Sequence, residues 1–259
     1  MDIWRFLPLE IRDGYWNMAL DESILQSCIE KKTPNTIRLF KWDPSTITIG
    51  YHQSVSDEVN IAVAKEKKFN IVRRITGGGA VFHDFKGEIT YSVVCPLKFL
   101  EEKGFTRMIE QYEIITQGII EALSNYHLGS DKGVIHCPAI FLDGKKISGN
   151  AQVRKRGYIL QHGTILLKIN PELMYSVLKA PNNVPTKKMV ASVYAKVIGI
   201  KEQIQNFNEN EFISYLINGF ETTLGIKLEK GKFSKYELEL AEKLIKEKYS
   251  TDKWLYKYE

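Results

Sequence analysis

Apolar residues recur along this chain with two different periods, and the change from one to the other marks out its elements. Residues 4–9 read as a strand. Residues 14–29 place Met18, Leu20, Ile24 and Leu25 among the apolar positions of a helix. Residues 36–41 and 46–50 read as two strands joined by a proline-containing turn at 42–45. A helix is predicted over 60–67, a short strand over 70–74, an alternating strand over 88–95 and a long amphipathic helix over 105–126. Residues 139–142 and 146–153 flank Asp143-Gly144, a dipeptide that tolerates positive φ and signals a hairpin. A further strand is predicted over 158–169, and the chain beyond 208 reads as mainly helical. Residues 234–249 look like one amphipathic helix, with Leu238, Leu240, Ala241, Leu244 and Ile245 on or near one face. Hairpins without regular strand–helix alternation favour an α/β (α+β) architecture, a mixed β-sheet flanked by helices. The Pro/Asn stretch at 179–188 reads as a surface loop. A polar link at 228–234 divides the chain into 1–228 and a C-terminal helical appendage at 229–259.

Composition narrows the class. With 44% hydrophobic and 26% charged residues, the chain is a globular sequence and not a disordered one. It has no uninterrupted apolar run of about 18 residues, so no membrane-spanning helix is expected. Cys28, Cys95 and Cys137 are an odd count without metal-type spacing, which points to a reducing, cytoplasmic setting. The net charge of +5 comes mostly from scattered lysines, a solvated coat more than a nucleic-acid groove. Neither nucleic acid nor membrane is an expected partner. An acidic protein or a phosphate-bearing ligand suits the charge.

Three segments could carry chemistry. The first is Arg73-Arg-Ile-Thr-Gly-Gly-Gly-Ala-Val-Phe-His-Asp84. Gly77, Gly78 and Gly79 lack Cβ atoms, so the backbone can approach a ligand and offer its N–H groups to an anion. Arg73 and Arg74 before them can supply charge. A bare triple glycine is otherwise a tight turn. The pattern is neither a P-loop nor a dinucleotide fingerprint. The second segment is Lys145-Lys-Ile-Ser-Gly-Asn-Ala-Gln152. Strand geometry sends Lys145 and Lys146 to opposite faces, so one can enter a pocket while the other meets water. Ser148, Gly149 and Asn150 imply close packing there. The third is Gln161-His-Gly-Thr164, where His162 is either a packing residue or a ligand contact beside Gly163.

Taken together, these segments resemble the lipoate–protein ligase family, with its relatives the octanoyltransferases and, more distantly, the biotin–protein ligases. The resemblance covers most of the chain. It begins at Asn17-Met-Ala-Leu-Asp-Glu22 and Leu39-Phe-Lys-Trp-Asp-Pro-Ser-Thr-Ile-Thr-Ile-Gly50 and ends in Glu247-Lys-Tyr-Ser-Thr-Asp-Lys-Trp254. It implies the catalytic core of biotin/lipoyl ligases and class II synthetases, housed in residues 1–228. It also implies an ATP- and Mg²⁺-dependent lipoate–protein ligase. Lipoate would be activated to lipoyl-AMP and passed to a lysine of an acceptor domain, such as a 2-oxoacid dehydrogenase E2 or a glycine-cleavage H protein. Carried over by position, Arg74 and Gly79, Ala80, Val81 and Phe82 would contact the nucleotide and acyl-adenylate. Arg73, Gly77, Gly78, His83, Ser148, Gly149, Asn150 and His162 would complete the binding site. Lys146 would be the catalytic cation at the acyl carbonyl and phosphate. Val81 and Phe82 are candidates for the acyl tunnel.

One departure opens an alternative. Where such ligases carry an Asn-Asp pair tied to metal and phosphate handling, this chain has Pro138 and Ala139. It offers His136-Cys137-Pro138 instead. One octanoyltransferase class uses a cysteine of this loop region as an acyl nucleophile and needs no ATP, so Cys137 is either such a thiol or a structural residue. The short C-terminal segment must dock on the catalytic domain or on an accessory subunit, since it is too small for a core of its own.

Overall fold

The structure is a computed structural model and describes residues 1–126, 128, 130–132, 138–181 and 184–259, with the side chains of 130–132 excepted. In chain order the elements are β1 (Asp2–Arg12), α1 (Gly14–Ile29), β2 (Thr36–Trp42), β3 (Thr46–Ile49), α2 (Val55–Glu58), α3 (Ile61–Glu66), β4 (Asn70–Arg73) and β5 (Val81–His83). There follow β6 (Glu88–Pro96), α4 (Leu97–Glu101), α5 (Met108–Ser124), β7 (Ser130–Lys132), β8 (Ala139–Leu142), β9 (Lys145–Lys155) and β10 (Tyr158–Leu166). The chain closes with α6 (Pro171–Val177), α7 (Thr186–Lys196), α8 (Glu209–Leu224), β11 (Ile226–Lys230), α9 (Lys235–Leu244) and α10 (Asp252–Leu255).

Among the described residues, eight strands form one mixed sheet in the order β11-β1-β2-β6-β10-β9-β8-β7, and three form a small sheet, β4-β3-β5. β1 runs parallel to both β2 and β11, while β6, β10, β9 and β8 pair antiparallel. The mixed sheet flanked by helices is therefore present as expected. The Asp143-Gly144 hairpin is present too, with φ of 50° and 72° at its two turn residues.

Each face of the large sheet has its own cover. One carries the main apolar core, where Ile89, Tyr91, Val93, Ile147 and Ile165 meet Ile115 and Ile119 of α5 and Phe212, Leu216 and Phe220 of α8. The other is covered by α1. Asp13 caps this helix by accepting the Trp16 N–H at 2.9 Å. Its buried residues include Asn17, Asp21, Glu22 and Ser23 as well as apolar ones, so α1 is interior on nearly every side.

The C-terminal reading needs correction. The polar link at 228–234 is in part an edge strand, β11, so a boundary at 228/229 falls inside an element that pairs with β1. The helix expected over 234–249 runs only through α9 and continues as a π-helical turn, Ile245–Tyr249. This segment packs on α1. Arg5 grips the buried Glu237 carboxylate at 2.8 and 2.5 Å, and Tyr249 OH donates to Glu22 at 2.6 Å. Among the described residues, no helix is long and apolar enough to cross a membrane.

Candidate functional site

The triple-glycine segment connects β4 to β5, and its shape is set from beneath by Arg74. Arg74 Nη2 donates to Gly77 O and Gly79 O, each at 2.7 Å. In a trans peptide the C=O and the following N–H point opposite ways. With those two carbonyls turned down onto the guanidinium, the N–H groups of Gly78 and Ala80 point away from it. Gly78 takes φ +93°, a conformation that favours glycine. A Cβ on Gly77 or Gly79 would meet nothing within 4 Å, so the outer side of the loop is open. Gly50 is needed for a different reason: its Cβ would lie 1.9 Å from Gly78 O.

Two relays of the same kind hold Arg74. Its Nε donates to Thr76 Oγ1 (3.1 Å), Thr76 reaches His162 Nε2 (2.7 Å), and His162 Nδ1 reaches Asp21 Oδ2 (3.0 Å). Its Nη1 donates to Thr48 Oγ1 (3.1 Å), Thr48 reaches His83 Nε2 (2.9 Å), and His83 Nδ1 reaches Glu88 Oε1 (2.7 Å). A guanidinium only donates and a carboxylate only accepts, so each relay runs from Arg74 to its acid, with the imidazole proton on Nδ1. Burial drives the His162 pKa below its ordinary value, Asp21 pulls it back up, and Arg74 and His83 add to the lowering. Asp21 is itself tied to Arg38 Nη1 at 3.0 Å and Ser92 Oγ at 2.9 Å.

Lys146 owes its placement to an irregularity that the sequence did not disclose. Ile140 pairs with Ser148 but Phe141 with Lys146, so β9 carries one extra residue, Ile147. Residues three apart on a regular strand face opposite ways. The bulge brings Lys146 and Gly149 to one side, where a Cβ on Gly149 would lie 2.9 Å from Lys146 Nζ. The ammonium of the half-buried Lys146 therefore lies over a glycine. Its main chain is pinned by Ile198 N, which donates to Lys146 O at 3.0 Å.

The three sequence segments do converge. Thr76 bonds His162 on β10, β10 pairs with β9 through Gly163 and Asn150, and Thr164 Oγ1 accepts the Gly149 N–H at 3.3 Å. Several expected ligand contacts nonetheless have other work. Arg73 is fully buried, and its donors go to main-chain carbonyls of Gly50, Tyr51, Gln53, Trp254 and Leu255. His83 is locked between Thr48 and Glu88 with the Trp42 ring stacked on it at 4.1 Å. Phe82 packs in the small-sheet core, 5.5 Å from the Phe69 ring, and is not a free tunnel wall. Val81 and Ala80 are half-buried beside it. Ser148 pairs with the core residue Ile140, and its buried Oγ has no partner. Asn150 accepts from Tyr91 OH (2.6 Å) and donates to Pro138 O (3.0 Å), which anchors the start of β8.

Asp21, Thr48, Thr76 and Glu88 were not singled out from the sequence. Asp21 had a legible signal, a carboxylate among apolar positions of a helix. The others depend on pairing across the fold. Cys137 and His136 lie outside the described residues. The two remaining thiols are poor nucleophiles: burial pushes Cys28 up to about 11 and raises Cys95 as well. Pro138 and Ala139 are buried and have no side-chain oxygen, so they supply no ligand for magnesium where the resembling ligases carry Asn-Asp.

Comparison with known proteins gives the chain a family and a fold. The family described as lipoyl protein ligase A/B catalytic domain matches residues 13–221. The chain is 34% identical over 276 residues to octanoyltransferase LipM of Brevibacillus brevis, covering 98% of this chain and 99% of that protein. It is 32% identical over 278 residues to octanoyltransferase LipM of Bacillus subtilis, covering 99% of each. Among solved structures, the bi-partite lipoate protein ligase of Thermoplasma acidophilum superposes with a TM-score of 0.86 at 26% identity, over 100% of this chain and 98% of that one. The full-length octanoyltransferase relatives overturn the expectation of an ATP-dependent lipoate–protein ligase.

Proposed function

The chain belongs to the lipoyl protein ligase A/B catalytic domain family, and from that premise we propose that it is an octanoyltransferase that moves an octanoyl group from a carrier thioester to a lysine of a lipoyl-type acceptor domain. The observation that carries this reading is the end-to-end similarity to octanoyltransferases. The replacement of the Asn-Asp pair by Pro138 and Ala139 supports it from the chemistry of the site. An acceptor of lipoyl-domain type is supported by the archaeal neighbour, whose structure includes its E2 lipoyl domain.

The chemistry needs no nucleotide. A thioester is already an activated acyl donor, and its conversion to an amide is downhill. In the first step the Cys137 thiolate attacks the thioester carbonyl and the carrier thiolate leaves. In the second the acceptor amine attacks the acyl-cysteine, the Cys137 thiolate leaves and the amine loses its proton. Negative charge gathers on the carbonyl oxygen in both steps. The Lys146 ammonium and the outward N–H groups of Gly78 and Ala80 are the donors this fold offers to it. Arg74 acts from below as the group that turns those amides outward. Cys137 is the one cysteine besides the buried Cys28 and Cys95.

The test is direct. Acceptor domain and octanoylated carrier are incubated with the enzyme without ATP, and the acceptor is read by intact mass. One added octanoyl group is expected, together with a transient thioester that Cys137→Ser does not form. Acceptor modification seen only with free acid plus ATP would defeat the reading.

A further inference from the structure

Arg73 connects two parts of the chain that the sequence keeps far apart. Its Nη1 donates to Gly50 O (3.1 Å), Tyr51 O (2.8 Å) and Gln53 O (2.6 Å). Its Nε donates to Trp254 O (2.9 Å) and Leu255 O (3.1 Å), and its Nη2 to Leu255 O (2.5 Å). Trp254 answers, with its indole Nε1 donating to Arg73 O at 2.9 Å. Among the described residues no carboxylate bonds this buried guanidinium; main-chain carbonyl dipoles hold its charge. Such a group is expensive to bury unless every donor is used. Here the donors are spent on holding two loops together.

One of those loops backs the glycine segment. Tyr51 N donates to Thr76 O (2.9 Å), Arg74 N donates to Ile49 O (3.1 Å), and Gly50 abuts Gly78 O. The other is the C-terminal stretch, which is fastened a second time. Glu259 accepts from Val55 N (2.5 Å) and Ser56 N (3.2 Å), just beyond the same turn. The Trp254 ring also meets Tyr51 edge-on at 5.6 Å. The turn at residues 50–53 is thus clamped between the glycine loop and the C-terminal segment.

We propose that Arg73 and Trp254 are positioning residues, a clasp through which residues 251–259 hold the glycine loop in its acyl-transfer shape. For its rate readout this rests on the octanoyltransferase reading; for its exchange readout it does not. The probe is Trp254→Phe, which keeps an aromatic ring at the position facing Tyr51 and removes the indole donor together with part of the ring area that meets Tyr249 and Lys248. Losing one hydrogen bond of about 0.5–1.5 kcal/mol corresponds to roughly a 2- to 13-fold effect. The expected result is a fall of that size in kcat for octanoyl transfer, with KM for the octanoylated carrier unchanged. Amide exchange should quicken by a similar factor at Tyr51 and Arg74, whose N–H groups bond the loop and its base, while α5 and α8 keep their protection. Arg73→Lys, which leaves one donor head where a fork stood, should do more at the same amides. Unchanged exchange at Tyr51 and Arg74 would overturn the clasp. So would exchange that rises equally in α5 and α8, or faster loop exchange with kcat unchanged. A wild-type enzyme inactive on the octanoylated carrier would instead refute the octanoyltransferase reading and leave the exchange result to decide the clasp.

Discussion

The two faces of the large sheet are built from the same strands and do opposite work. Along β6, Ile89, Tyr91, Val93 and Cys95 enter the core under α5 and α8, while Glu88, Thr90 and Ser92 turn toward the side of α1. All of them are buried. Period-two alternation usually marks one wet and one dry face. Here the polar face is dry as well, and Asp21, Arg38, His162 and Glu88 each pair with a neighbour across it, with only the buried Arg38 Nε of this group left without a partner among the described residues. The apolar face supplies stability through area and close fit. The α1 face gives up part of that to fix the orientation of charged and hydrogen-bonding groups, which is what a reaction site needs.

The sharpest way to separate the faces is to damage one and watch the other. Phe220 is 1% exposed, touches Tyr91 at a ring distance of 5.8 Å and lies against Gly118. Phe220→Ala should cost about 3–5 kcal/mol of stability, read by denaturant unfolding, with turnover per folded molecule unchanged. A large loss of specific turnover would mean that the two faces are not independent. Lys146→Ala tests the other side. Acyl transfer should fall by about 10²–10³, the usual loss for a preorganised donor at a developing oxyanion, with melting temperature nearly unchanged. Lys145→Ala is the control, because Lys145 pairs with Leu142 and projects away from Lys146. Equal losses for the two lysines would show that only surface charge matters.

The contrast also explains what could be read in advance. Local signals were legible: α1 spans the 14–29 expected from its pattern, and the Asp143-Gly144 turn sits where its chemistry placed it. The resemblance groups the glycine segment, the Lys146 strand and His162, and in the fold Thr76 bonds His162 while β10 pairs with β9. An arginine before a glycine loop looks like a ligand contact, and Arg73 fits that pattern. Its partners lie up to 182 residues away, beyond any local pattern. The bulge at Ile147 was invisible because nothing in Lys-Lys-Ile-Ser-Gly marks an extra residue. Phe82 resembles a tunnel residue by its place in the motif, but the small sheet is a separate unit that gives it a core to fill.

The weakest expected effect probes the α1 face without breaking it. His162 is buried, accepts from Thr76 through Nε2 and donates to Asp21 through Nδ1. Charged or titratable groups face it from three sides: Asp21 from α1, backed by Arg38 from β2; Arg74 below the glycine loop; and His83 from β5. Burial outweighs the pull of Asp21, so its folded pKa lies below the ordinary value of 6.5. As pH falls through 6.5 the unfolded chain takes up this proton before the folded one does, and stability drops with pH until the folded value is also passed. Above that window the contribution is complete and flat. His162→Gln keeps a hydrogen-bonding side chain that does not titrate. The variant should therefore lose less melting temperature than the wild type between pH 7.5 and 5.5, each measured against its own value at pH 7.5. The neighbouring core should be silent in this comparison, so Phe220→Ala should keep the wild-type pH slope. Parallel slopes for His162→Gln and wild type would place the acid sensitivity elsewhere and remove His162 from the set of groups held neutral by the fold.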